Sequence, residues 1–79
     1  MKITSKDIDK KFRVRNGEIV TIVDYWDNKE RPVIGMYQYD IDEQTHDVHS
    51  WNDDGRHNVK TPDCLDSISE LDLVERLED

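Results

Sequence analysis

An Asn-Gly pair between two alternating apolar segments constrains the fold of this chain more than any other feature. The pair is Asn16-Gly17, and it lies at the centre of residues 10–26, KKFRVRNGEIVTIVDYW. Asn-Gly flanked by alternating apolar residues is the strongest short-range signal for a β-hairpin, because a type I′ turn requires positive φ at both central residues. The sequence therefore predicts a hairpin closed by a two-residue turn.

This turn length fixes which residues share a face of the hairpin. With a two-residue loop, Phe12 pairs with Thr21, and the second strand places Val20, Ile22 and Trp26 on the face opposite Phe12. The second strand then carries apolar residues on both faces, as strands covered on both sides do. We therefore expect another segment, most simply the C-terminal one, to cover Val20, Ile22 and Trp26.

The rest of the chain carries turn and strand signals but no long helix. Thr4 and Asp7 have the spacing of a capping box, which predicts a short helical turn near residues 4–9. Gly35, inside an apolar strand, indicates a bulge or a sharp bend. The remaining predicted elements are a third strand over 33–39, an acidic connection over 40–45, a fourth strand over 46–51, a turn at 52–55 and a weaker fifth strand over 56–60.

The C-terminal segment allows two interpretations. A helical turn near residues 62–70 followed by a strand over 71–77 is preferred, because the apolar residues recur every three positions, and on an α-helix that spacing drifts by about 60° per step. A C-terminal helix is the alternative. Several short strands with glycine turns predict a mostly β fold. We expect a single domain over 1–79, built as a strongly bent antiparallel sheet or SH3-like barrel of five to six strands.

Composition indicates a small, polar domain with a limited core. Only 34% of the 79 residues are hydrophobic and 38% are charged, so burial of further apolar surface in a homodimer is one way to gain stability. No apolar run approaches the roughly 20 residues that span a bilayer, and the N-terminal residues lack the apolar core of a signal peptide. The single cysteine, Cys64, cannot form an internal disulfide. These features predict a cytoplasmic protein without membrane contact.

Charge is distributed unevenly along the chain. Residues 1–31 hold 8 Lys/Arg and 6 Asp/Glu, a net of +2, and residues 32–79 hold 3 Lys/Arg and 13 Asp/Glu, a net of −10. Such a balance argues against non-specific binding to nucleic acid, whose phosphates require cations. It favours docking on a basic protein surface, although acids that only maintain solubility are the simpler interpretation.

The residue types that bind metals or act as nucleophiles form no convincing constellation. His46, His49, His57 and Cys64 are ligands that zinc accepts, but His46 and His49 point to opposite faces of a strand. Cys64 has no evident orienting partner or oxyanion loop, so we interpret it as a small buried apolar residue. The sequence predicts no metal site, no cofactor and no enzymatic activity.

Aromatic residues offer another type of binding surface. In a core this small, at least three of the aromatic residues must be buried, and Trp26, Tyr39 and Trp51 are those expected to be partly exposed. Grooves lined by aromatic side chains bind extended peptides. The basic strand with Lys11, Arg13 and other cations is a further alternative, a phosphate-binding patch, but neighbouring acids would weaken its field.

The order of the motifs resembles that of a group of small phage and prophage proteins of unassigned function. The motifs are Arg15-Asn-Gly17, Pro32-Val-Ile-Gly35, Trp51-Asn-Asp-Asp-Gly-Arg56 and Asp72-Leu-Val74, and the resemblance covers roughly residues 8–75. In that group an aromatic residue commonly precedes the proline, where this chain has Arg31. The group has no assigned catalytic residues. The resemblance implies a phage context, in which small acidic proteins bind and block host machinery.

We therefore expect a non-enzymatic accessory protein that binds, and thereby inhibits, a host protein through an acidic surface. The host protein would have a basic surface, as nucleic-acid-handling or defence enzymes do. A small-molecule or nucleotide-sequestering protein is the alternative, as is a structural or assembly module without a ligand. The residues predicted to contact the partner are Asp40, Asp42, Glu43, Asp47, Asp53, Asp54, Trp51, Tyr39 and Trp26.

Overall fold

The computed structural model describes residues 2–27, 29–57 and 70–77. Within these residues the chain forms one antiparallel sheet of five strands in the order β4-β3-β2-β1-β5. The elements are a 3₁₀ turn (Ser5–Asp7), β1 (Lys11–Val14), β2 (Ile19–Tyr25), β3 (Val33–Tyr37), the short helix α1 (Gln38–Asp42), β4 (His49–Trp51) and β5 (Leu73–Leu77). The prediction of a mostly β fold with a single antiparallel sheet is confirmed.

The central hairpin has a three-residue loop, so the predicted two-residue turn is wrong. Phe12 pairs with Val20 rather than with Thr21. The amide of Gly17 donates to the carbonyl oxygen of Val14 over 2.8 Å, and Gly17 has a φ of 97°. This is a tight turn followed by a glycine at positive φ, the usual geometry of three-residue hairpin loops. Asn16-Gly17 marks the turn correctly, but its length differs by one residue.

The change of one residue in register reverses the faces of β2. Because side chains alternate along a strand, the observed pairing places Val20 and Ile22 on the same face as Phe12 and Val14, and all four are fully buried. The expectation that a separate segment covers Val20, Ile22 and Trp26 from the other side is therefore wrong. The buried core consists of Ile3, Phe12, Val14, Val20, Ile22, Val33, Tyr37, Trp51 and Leu73.

Gly35 lies on the inner face of β3, where the side chains of Val20 and Trp51 pack against it. A Cβ atom at this position would lie 2.6 Å from Cγ1 of Val20 and 3.1 Å from Cζ3 of Trp51. The predicted irregularity occurs on the neighbouring strand instead, since the β2–β3 register shifts between Ile22 and Asp24, opposite Gly35. Glycine is thus required for close packing, and the bulge lies on β2.

The sheet bends until its two edges are connected at one end. The amide of Leu73, at the start of β5, donates to the carbonyl oxygen of Gly55 over 2.8 Å, just beyond β4. The indole Nε1 of the buried Trp51 donates to the carbonyl oxygen of Leu71 over 2.7 Å. These hydrogen bonds connect the last two strands, which are not neighbours in the sheet, and they give the strong bend that was expected.

The N-terminal turn forms as its capping pattern predicts. The side chain of Thr4 accepts from the amide of Lys6, while Oδ2 of Asp7 accepts from the amide of Thr4 over 3.0 Å. Oδ1 of Asp7 also lies 3.0 Å from Nε of Arg76 on β5, and the Arg76 guanidinium lies 5.4 Å from the centre of the Phe12 ring. The turn is therefore attached to the far edge of the sheet.

Other boundaries differ from the sequence interpretation. The third strand ends at Tyr37, and α1 occupies part of the predicted strand and acidic connection. The fourth strand begins at His49, three residues later than expected. The strand predicted over 71–77 is confirmed as β5, which excludes the C-terminal helix. The expected fifth strand over 56–60 falls largely outside the described residues, and the helical turn near 62–70 falls almost entirely outside them.

Candidate functional site

The predicted partner-binding residues separate into distinct regions of the fold. One group follows β3 and comprises Tyr39, Asp40, Asp42, Glu43 and Asp47. The others lie elsewhere: Asp53 and Asp54 in the turn after β4, Trp51 in the core, and Trp26 after β2. The structure therefore brings five of the nine residues into one segment.

Helix α1 holds the first group together. Its last turn is closed by the amide of Glu43, which donates to the carbonyl oxygens of Tyr39 and Ile41, and Gln44 follows with a positive φ of 58°. On its surface, Nε2 of Gln38 donates to Oδ1 of Asp42 over 3.0 Å, a pairing of residues four positions apart on one helix face. The helix thus presents its acidic side chains on a defined backbone.

Asp40 supports this region from inside instead of facing solvent. It is only 5% exposed. Its Oδ1 accepts from the hydroxyl of Thr45 over 3.1 Å, its carbonyl oxygen accepts from the Thr45 amide over 2.9 Å, and its Oδ2 lies 3.9 Å from Nε2 of His49. The prediction that Asp40 is part of an exposed acidic surface is wrong, because its carboxylate fixes the loop that follows α1.

Tyr39 is the exposed aromatic residue among these acids. Its side chain is 47% exposed, and its ring stacks on the buried Tyr37 with centres 5.2 Å apart and planes 16° from parallel. Burial raises the pKa of Tyr39, and the carboxylates of Asp40, Glu18, Asp47 and Glu43 raise it further. The effect of four separate carboxylates on one phenol indicates a negative potential around an exposed ring.

We call this region the Tyr39 acidic surface and define it by Tyr39 and the exposed acids Glu18, Asp42, Glu43 and Asp47. Glu18 was not among the predicted residues. It lies directly after the loop of the central hairpin, far from α1 in sequence, and only the antiparallel pairing of β2 with β3 brings it near Tyr39. Charge patterning along the chain carries no signal for such a contact.

The contacts of Trp51, Asp53 and Asp54 stabilise the fold. Trp51 is 0% exposed, so the expectation that it is partly exposed is wrong. The backbone carbonyl of Asp53 accepts from the amide of Ile3 over 2.7 Å. Oδ1 of Asp54 accepts from the amide of Arg56 over 3.0 Å, and both aspartates are half-buried. This turn belongs to the junction between the sheet edges and is separate from the Tyr39 acidic surface.

The arginines of the basic strand are compensated by acids of β5 and its approach. Nη1 of Arg13 lies 3.1 Å from Oε2 of Glu75, and Nη2 of Arg15 lies 3.6 Å from Oδ2 of Asp72. These ion pairs reduce the field that a phosphate-binding patch would need.

A cleft beside β4 is a second candidate site, and Trp26 is among the residues that line it. Its volume is about 420 Å³, within the range of small-molecule pockets. The lining residues are Trp26, Arg31, Ile34, Val48, His49, Ser50 and His57. Sequence reasoning placed Trp26 and the histidines as candidates but missed Arg31, because its position depends on the path of the β2–β3 connection.

The histidines do not assemble into a metal site within the described part of the chain. His46 is exposed, and no group of three or more His, Cys, Asp or Glu side chains there could hold an ion. Cys64, the fourth ligand type considered, lies outside the described residues. Likewise, none of the helices among residues 2–27, 29–57 and 70–77 has the length and apolar character needed to cross a membrane.

Comparison with known proteins adds no family to these observations. No protein-family model matches the chain, no curated protein matches it, and no solved structure matches it.

Proposed function

We propose that this chain is a non-enzymatic binding protein that docks on a basic protein surface through the Tyr39 acidic surface. The observation that carries the proposal is the exposed Tyr39 ring beside exposed acids. Its pKa is raised first by burial and by the buried Asp40, and further by the exposed carboxylates of Glu18, Asp47 and Glu43. An exposed aromatic ring within an acidic rim suits a lysine or arginine side chain, which gains both a cation–π contact and a charge-assisted hydrogen bond.

The arrangement of this surface supports a specific contact over a purely solubilising role. Tyr39 is held by its stacking on Tyr37, and the loop after α1 is held by the bonds between Thr45 and Asp40. A surface that is already ordered loses less conformational entropy on binding than a flexible one. Aromatic residues in ordered surroundings are also those that contribute most to interface energies.

The class of partner follows from charge complementarity. A surface of this sign attracts proteins with exposed clusters of lysine and arginine, and proteins that handle nucleic acids have such clusters where the phosphates bind. Occupation of that cluster by an acidic protein excludes the nucleic acid. We therefore propose inhibition of a nucleic-acid-handling or defence enzyme of a bacterial host as the consequence of binding, in keeping with the phage-type motif order.

The proposal is tested by capture of proteins from a bacterial lysate with three versions of the chain as bait. The first is the natural sequence. The second is the double variant Glu43→Lys/Asp47→Lys, which alters the Tyr39 acidic surface. The third is the control Asp27→Lys/Glu30→Lys, in which two exposed acids before β3 are reversed. Each double variant replaces two acids by two lysines, so both change the net charge from −8 to −4.

The control differs from the test variant only in location. Asp27 and Glu30 precede β3, whereas Tyr39 follows it, and a strand of this length separates its ends by roughly 16 Å. We expect one dominant partner that the natural and control baits retain and the test variant loses. Equal capture by all three baits would mean that net charge, or a different surface, is responsible.

A further inference from the structure

The cleft beside β4 combines an apolar wall with a cationic group, which is unusual in a chain with a net charge of −8. Trp26, Ile34 and Val48 supply the apolar side, and Trp26 and Val48 are 51% and 55% exposed. Arg31, His49 and His57 supply nitrogen donors. Arg31 is a cation and no carboxylate is among the described residues that line the cleft, although the carboxylates of Asp24 and Asp40 contact the lining residues Trp26 and His49.

Trp26 is an exposed aromatic residue with a fixed orientation. Its indole Nε1 donates to Oδ2 of Asp24 over 2.7 Å, and its amide donates to the carbonyl oxygen of Pro32 over 2.8 Å. These two hydrogen bonds hold the exposed indole ring in place at the edge of the cleft. Such a ring is a stacking platform for a planar ligand.

Arg31 has donor capacity that the described part of the chain does not use. Its Nη2 donates to the carbonyl oxygen of Ser50, but its buried Nε has no hydrogen-bond partner among the described residues. Buried donors without an acceptor are rare and require an explanation. An oxygen anion that reaches the guanidinium from the cleft would provide an acceptor in the paired geometry that arginine favours.

His57 is suited to hydrogen bonding with a ligand in the same cleft. Burial lowers the pKa of His57, and Arg31 lowers it further, while Asp72 opposes the shift. His57 is therefore neutral at pH 7, where its ring offers one donor and one acceptor. Arg31 then supplies the permanent positive charge among the described lining residues.

We propose that this cleft binds a small planar aromatic anion, with the ring against Trp26 and the carboxylate or phosphate group on Arg31. A volume of about 420 Å³ accommodates a ligand of the size of an aromatic acid or a mononucleotide. The cleft and the Tyr39 acidic surface share no residue. The two proposals can therefore be tested separately, and the failure of one does not refute the other.

The proposal is tested by nuclear magnetic resonance titration of the full chain, followed through its two indole N–H signals. The probes are 2-naphthoate with its neutral counterpart 2-naphthamide, and adenosine 5′-monophosphate with neutral adenosine. We expect the Trp26 indole signal to shift more than that of Trp51, which is buried, bonded to Leu71 and packed against the lining residues His49 and His57. At least one anion should bind at least about tenfold more tightly than its neutral counterpart.

The anion that binds more tightly identifies the charged group that the cleft prefers. Equal affinity for anionic and neutral probes, an equal shift of Trp51, or no shift of Trp26 at millimolar probe would overturn the proposal.

Two substitutions, each with a control, locate the interaction. Arg31→Gln should weaken anion binding at least about tenfold, whereas Arg13→Gln, on β1 and not among the lining residues, should leave it unchanged. Because Arg31 also bonds Ser50, a variant that leaves this contact intact is needed in case Arg31→Gln fails to fold. Val48→Asp places a carboxylate at an exposed position in the cleft and should weaken anion binding, whereas neutral Val48→Asn should not. Undiminished affinity of Val48→Asp would contradict the proposal.

Discussion

Gly35 permits close packing between β3 and the buried side chains of Val20 and Trp51, and Gly35→Ala should destabilise the fold through a steric clash. The added Cβ would lie 2.6 Å from Cγ1 of Val20, 3.1 Å from Cζ3 of Trp51 and 3.2 Å from the carbonyl oxygen of Thr21. Val20 and Trp51 are fully buried, and the third contact is backbone, so the neighbours have little room to move. Overpacking of this kind costs about 1–3 kcal/mol.

The expected loss is measurable in thermal and urea unfolding. In a domain of this size, 1 kcal/mol shifts Tm by roughly 4–8 °C, so a loss near 2 kcal/mol lowers Tm by about 10 °C. Gly17→Ala is the matched control, because a Cβ there meets nothing within 4 Å and the cost arises only from its φ of 97°. That cost is about 1–2 kcal/mol.

A double-mutant cycle with Val20→Ala separates these two causes. Truncation of Val20 removes the Cγ1 atom nearest to the new Cβ, so the free energy cost of Gly35→Ala should be smaller in the Val20→Ala background. The cost of Gly17→Ala should be the same in both backgrounds, since independent sites add. If Val20→Ala does not reduce the cost of Gly35→Ala, the steric explanation is refuted.

Two further predictions concern buried ionisable groups. Burial, together with the charges of Tyr39, Glu18 and Asp40, raises the pKa of Tyr37 to about 12. The neutral form therefore contributes stability that is complete below pH 10 and lost between pH 10 and 12, up to about 2–3 kcal/mol. Urea unfolding across this range should show that decline in the natural chain, and Tyr37→Phe should lack it; an identical decline in both would contradict the assignment. Asp7→Ala should cost about 2 kcal/mol, because this buried carboxylate bonds both the N-terminal turn and β5. In the same urea assay, Glu75→Ala should cost under about 1 kcal/mol, since its ion pair is exposed; equal losses would argue against a buried network at Asp7.

The central hairpin shows which parts of the fold are encoded locally. Asn16-Gly17 locates the turn, because a glycine at positive φ is required by both two-residue and three-residue loops. The choice between these loops depends on which face of β2 is buried, and that is a property of the whole sheet. Alternation in β1 and β2 is compatible with either, since β2 has apolar residues on both of its faces. The sequence therefore predicts the hairpin but not its register.

The candidate site, too, could be predicted from the sequence only in part. The concentration of acids after β3 is visible in the sequence, and Tyr39, Asp42, Glu43 and Asp47 are indeed exposed there. Asp40 lies in the same run but is buried by its bonds to Thr45, and no local pattern separates it from its neighbours. The burial of a residue next to a helix depends on contacts between distant segments, which periodicity over so few residues cannot resolve.

The cleft beside β4 was missed for a related reason. Its lining residues come from the β2–β3 connection, from β3, from β4 and its approach, and from the segment after the second turn. Trp26 and the histidines are recognisable as separate candidates, but only the pairing of β3 with β4 brings the two walls of the cleft together.

Docking through the Tyr39 acidic surface is best tested by the salt dependence of affinity for the captured partner. Binding constants are measured over a series of salt concentrations for the natural chain, for Glu43→Lys/Asp47→Lys and for the control Asp27→Lys/Glu30→Lys. We expect affinity to fall with salt for the natural chain and the control, and we expect Glu43→Lys/Asp47→Lys to bind more weakly with a smaller salt dependence. Equal affinities and equal salt dependence for all three chains would contradict it.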